Sequence, residues 1–170
     1  MQVNGDAQYQ CSPEAFVQIS TNPEFVRTRF GDLLREAVVA QPSDHAISVT
    51  GQISPEALPG RAAAATKTPI VLEYTEEWTP TSQGGFHASC ELRAEAVSVT
   101  AHLEQDVIAL NWDANQCQWA LSGDYRVAIP LIGRMIEVKV AEYFDEFFAR
   151  DQKIVNTWLK RHAGEYPVAE

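Results

Sequence analysis

Residues 123–147, "GDYRVAIPLIGRMIEVKVAEYFDEF", decide the fold. The stretch opens with strand-like alternation, breaks at Pro130 and Gly133, and continues at helical spacing. Ile132, Ile136, Val140, Tyr143, Phe147, Ile154 and Trp158 form one stripe of a helix expected over 131–162. Arg134, Glu142, Asp145, Glu146, Lys153 and Lys160 fall mostly off that stripe, and Lys160 and Arg161 suit the dipole at the helix end. A helix of about 30 residues is about 45 Å long, longer than a small sheet is wide. So apolar a face needs a sheet that curves around it.

Upstream, the sequence supplies that sheet. Residues 3–11 read as a first strand. "SPEAFVQIS" and "NPEFVRTRF" each begin with a side-chain cap followed by proline, Ser12-Pro13 and Asn22-Pro23, so two separate helices are expected over 13–20 and 23–35. Phe16, Ile19, Phe25 and Phe30 are their inward anchors.

The period then changes to two. His45, Ile47, Val49, Gly51 and Ile53 share one face, as do Ile70, Leu72, Tyr74, Glu76 and Trp78, and likewise Phe86, Ala88, Cys90 and Leu92. Residues 95–112 are strand-like with a bulge expected near Gln105–Asp106, and "DANQ" reads as a turn. The last strand is expected over 117–129, with Trp119, Leu121, Tyr125, Val127 and Ile129 on one face. The Pro- and Ala-rich stretch 54–69 is either a gate over a cavity mouth or a surface connection.

Composition narrows the function. The 170 residues suit one domain over 1–170, and 45% apolar content is enough for a sizeable core. A net charge of −10 disfavours nucleic acid and anionic membrane surfaces. No apolar run approaches the ~20 residues of a membrane span, and the N-terminus lacks the pattern of a signal peptide.

Three cysteines, Cys11, Cys90 and Cys117, without a CxxC, read as reduced thiols of a cytoplasmic protein, with Cys90 and Cys117 placed so that they could lie on neighbouring strands. His45, His87, His102 and His162 lack ligand-like spacing, so no metal is expected, and no cofactor motif is present.

Two carboxylates stand out. Glu76 lies on an apolar strand face and Asp151 lies beside the apolar stripe of the last helix. A buried carboxylate must be paired, hydrated or protonated. Each is either a polar handle or acid/base inside a pocket, or a rim residue reaching water or an arginine. The two are weak catalytic candidates. The rings of Tyr143, Phe144, Phe147 and Phe148 either fill a core or line a ligand box.

The element order resembles the START-like (SRPBCC, helix-grip) superfamily, which includes birch-pollen-allergen-like proteins and polyketide cyclases. "SPEAFVQISTNPEF", "PLIGRMIE" and the closing "WLKRH" look like an uncharacterised actinobacterial branch of it. The resemblance implies an α+β fold: a curved antiparallel sheet wrapped around a long C-terminal helix, with two short helices after the first strand.

It also implies a cavity for a hydrophobic small molecule, lipid-like or polyketide-like, lined by Ile47, Val49, Leu72, Tyr74, Phe86, Cys90, Trp119, Leu121, Ile136, Val140, Tyr143 and Phe147. The superfamily has no fixed catalytic set. A cyclase- or hydratase-type enzyme, or a module with a filled core that docks a protein partner, are the alternatives.

Overall fold

The structure is a computed structural model that describes residues 1–54, 69–94, 98–128 and 133–167. In chain order it contains β1 (Gln2–Tyr9), α1 (Pro13–Ser20), α2 (Pro23–Phe30), a 3-10 turn (Gly31–Leu33), β2 (Leu34–Ser43), β3 (Ala46–Ile53), β4 (Val71–Pro80), β5 (Phe86–Ala94), β6 (Val99–Leu110), β7 (Asp113–Val127) and α3 (Gly133–Arg161). The strands form one antiparallel sheet in the order β1-β7-β6-β5-β4-β3-β2. This is the expected α+β helix-grip architecture. β1 and β2 are the two edges, so α1 and α2 carry the chain across the sheet from one edge to the other.

Local chemistry sets the helix starts. The Ser12 hydroxyl accepts from the Ala15 amide at 3.2 Å, and the Asn22 side chain accepts from Glu24 and Phe25 amides at 2.9 and 3.1 Å. Both helices begin on proline, whose missing N–H costs nothing there. α2 is shorter than its sequence suggests. It stops at Phe30 because Gly31 takes φ +50°, a backbone that favours glycine. Of the residues expected to finish that helix, Gly31–Leu33 form the 3-10 turn, and Leu34 and Arg35 enter β2, an edge strand with two register irregularities.

Two further expectations are corrected. No bulge occurs near Gln105–Asp106: β6 pairs with β7 in continuous register from Val99 to Ala109 and slips only between Ala109 and Leu110. The turn is at Asn111–Trp112, and "DANQ" already belongs to β7, where Asp113 accepts from the Asn115 amide at 2.8 Å. Trp112 stands 73% exposed at this hairpin tip.

Cys90 and Cys117 are not on neighbouring strands, since β6 separates β5 from β7. Cys11 and burial together raise the Cys117 thiol instead, and all three cysteines are free and buried. The stretch 55–68, with its gate-or-connection reading, lies outside the described residues, as do Ile129 and Ile132.

Three of its contacts help to seat α3. Phe148 lies so close over β1 that a methyl at Gly5 would sit 2.2 Å from its ring. Trp158 packs edge-on against Phe25 of α2 with centroids 5.4 Å apart. At the other end, Glu137 accepts from the Tyr125 hydroxyl through its carbonyl and from the Val127 amide through its side chain.

The buried apolar residues fall into two clusters. The larger lies under α1 and α3, and the smaller holds Val26, Leu34, Ile47, Val49, Ile70, Leu72 and Ala94. Tyr74, Leu92 and Val99 pack against both.

Candidate functional site

Strand alternation turns Leu72, Tyr74, Glu76 and Trp78 of β4 toward the interior. Glu76 is 4% exposed, so its carboxylate is not at a rim. Its neighbours two residues away on the same face serve it directly: the Tyr74 hydroxyl donates to Oε2 and the Trp78 indole N–H donates to Oε1. Across the sheet, Gln105 Nε2 of β6 donates to Oε2 at 3.1 Å, and the Cys90 thiol of β5 reaches it at 3.8 Å. Gln105 in turn accepts from the Trp119 indole of β7 at 2.7 Å. Both Glu76 oxygens only accept, the pattern of an ionised carboxylate.

A second buried polar group lies on α3. Asp151 of α3 is 1% exposed; it accepts from the Tyr9 hydroxyl at 2.6 Å and from Arg29 Nε and Nη2 at 2.8 and 3.3 Å. The expectation of a rim position fails here too, although the arginine partner it invoked is present. The Arg29 guanidinium sits 4.8 Å from the Phe25 ring centre and 5.7 Å from that of Trp119. Trp119 therefore carries Arg29 over its ring and binds the Gln105–Glu76 chain through its N–H.

The electrostatics follow from this burial. Burial pulls the Arg29 guanidinium down, but the carboxylates of Asp151 and Glu76 outweigh it and hold it above its ordinary value. Burial, then Cys90 and Glu76, push the Tyr74 phenol well up. Burial and the Asp151 charge do the same to Tyr9, and burial and Glu76 to the Cys90 thiol. At neutral pH these groups keep their protons, so they donate hydrogen bonds and Cys90 is a poor nucleophile. Among the described residues no cluster of three metal-ligating side chains forms.

The expected lining residues divide. Ile47, Val49 and Leu72 belong to the smaller cluster, while Phe86, Cys90, Trp119 and Leu121 belong to the larger. Tyr74 joins the two, and Phe147 packs on the larger, 6.0 Å from Trp119. The side chains of Ile136, Val140 and Tyr143 lie outside the described residues. Phe86 is remote from the polar groups, on the wall of a surface cleft of about 440 Å³ between the start of α1, the β4–β5 turn and Pro167.

Tyr9, Arg29 and Gln105 were not anticipated. Gln105 had a legible signal, since it takes an inward place in the alternation Ala101, Leu103, Gln105, Val107. Arg29 lies one turn after Phe25, on the same side of α2.

The fold is START-like. It superposes on a START superfamily protein from Mycobacterium smegmatis with a TM-score of 0.59 at 12% identity, covering 92% of this chain and 98% of that one. The Zhui aromatase/cyclase from Streptomyces sp. R1128 gives 0.61 at 13% identity, covering 95% and 94%. Norcoclaurine synthase from Thalictrum flavum, in complex with dopamine and hydroxybenzaldehyde, gives 0.56 at 10% identity, covering 96% and 88%. No curated protein matches the chain. Residues 4–159 match the family described as "Protein of unknown function (DUF2505)", and the chain belongs to that family. No helix among the described residues is long and apolar enough to cross a membrane.

Proposed function

We propose that the chain, as one START-like domain over 1–170, binds a hydrophobic small molecule between the sheet and α3. The observation that carries this is the state of Tyr74, Leu92 and Val99. Their register turns them inward, yet each keeps accessible surface and bridges two separate apolar clusters. A filled core would bury them.

Phe144 and Phe147 of α3 are likewise half-buried against the larger cluster. Support comes also from the norcoclaurine synthase structure, where a protein of this fold is in complex with two small aromatic molecules. The ligand on this reading is lipid-like or polyketide-like, the protein works in the cytoplasm, and its place is in the actinobacterial branch that its sequence resembles.

Glu76 is occupied by four donors, and Tyr74 and Cys90 hold their protons. Those groups form a polar floor for a bound molecule, which favours binding over acid–base catalysis. Native mass spectrometry of the purified protein tests this. An added mass that is released on denaturation and extracts into organic solvent is the expected result. A bare chain, even after incubation with a lipid extract, speaks for a filled interior.

A further inference from the structure

Within the interior that the proposed function assigns to a ligand, one group is left with unused donors. Arg29 spends Nε and one Nη2 hydrogen on Asp151 and makes no other hydrogen bond among the described residues. Its side chain is 12% exposed. A guanidinium has five N–H donors, so both Nη1 hydrogens and one on Nη2 remain, beside the faces of Phe25 and Trp119.

The neighbourhood also has a charge. Asp151 cancels Arg29, and the acceptor-only Glu76 leaves the interior one negative charge in excess. An anionic head group reaching Nη1 would meet two carboxylates at close quarters in a poorly solvated space. An ammonium group would meet the exposed edge of the guanidinium. A neutral oxygen acceptor meets neither penalty and satisfies the free donors.

We propose that Arg29 Nη1 is the polar anchor of the interior site, and that its ligand is an apolar molecule bearing a neutral carbonyl oxygen, as in a ketone, aldehyde, ester or amide. Arg29 is held for this role from three sides: Asp151 fixes one edge of the fork, and Phe25 and Trp119 flank the guanidinium. The anchor rests on the ligand-binding reading above.

The test displaces the hydrocarbon dye diphenylhexatriene from the full chain with molecules of one length and different heads: undecane, methyl nonyl ketone, undecanoate and undecylamine. The ketone is expected to displace dye at lower concentration than the carboxylate or the amine. Arg29→Lys keeps a charge for Asp151 but removes the fork, and should weaken the ketone about tenfold or more while leaving undecane unchanged.

The pair Arg29→Met with Asp151→Asn removes both charges together and should show the same selective loss if Arg29→Lys does not fold. Dye uptake with a ketone that is no better than the carboxylate, or unaffected by both variants, overturns the anchor alone. Absence of dye uptake overturns the ligand-binding reading and the anchor with it.

Discussion

Arg29 of α2 and Asp151 of α3 meet edge to edge, Nε on Oδ1 at 2.8 Å and Nη2 on Oδ2 at 3.3 Å, with the Tyr9 hydroxyl completing the carboxylate. The contact joins the helix pair at the front of the chain to the long helix at its end, across the interior of the sheet. Removing one partner strands the other's charge in a buried place. Asp151→Ala is therefore expected to cost about 3–5 kcal/mol, read as a lower urea midpoint with an unchanged slope. A variant within about 0.5 kcal/mol of the parent would mean the pair is solvated and does not hold the helices together.

Gly5 is a packing requirement. A Cβ there would fall 2.2 Å from Phe148 Cε2, so Gly5→Ala must push the ring away and is expected to cost about 1–3 kcal/mol. Phe148→Ala removes the clash, so the double variant should be more stable than the sum of the two losses allows. Strict additivity in thermal unfolding would show that α3 does not rest on β1 at this point.

Alkaline pH should unfold the protein through its buried tyrosines. Tyr9 is fully buried, and burial and Asp151 raise its pKa far above the ordinary 10.0. Because the folded value lies above the unfolded one, this stability is fully present below pH 10 and is lost as pH rises beyond it. The slope is about 1.4 kcal/mol per pH unit for each such tyrosine. Urea midpoints between pH 8 and 11 should turn downward near 10, less steeply in Tyr9→Phe. An identical slope in that variant would contradict the placement of Tyr9.

The sequence made the helix starts and most strand faces legible because each is written in neighbouring residues. Ser12-Pro13 and Asn22-Pro23 are local chemistry, and Leu72-x-Tyr74-x-Glu76-x-Trp78 is local alternation. β2 was not legible. "LREAVVAQPS" continues the preceding helical spacing, its alternation is interrupted by a register shift between Arg35 and Val38, and Val38 is 68% exposed.

Gln105 misled for a different reason. A polar residue in an inward place resembles a register slip until its partners are known, and Glu76 and Trp119 come from other strands. Likewise, alternation set Glu76 inward, but Arg29 stands 122 residues from Asp151, and no local pattern announces such a pair.

On the reading proposed above, the space between the sheet and α3 accepts an apolar molecule. This reading is tested by diphenylhexatriene uptake by the parent and by Leu92→Trp, a substitution at an inward residue that keeps accessible surface and packs against both apolar clusters. The parent is expected to take up dye, and Leu92→Trp to lose uptake while melting within a few degrees of it, because the new ring fills vacant space. A parent that takes up no dye, with a Leu92→Trp variant destabilised by the ~1–3 kcal/mol of an overpacked core, would contradict it.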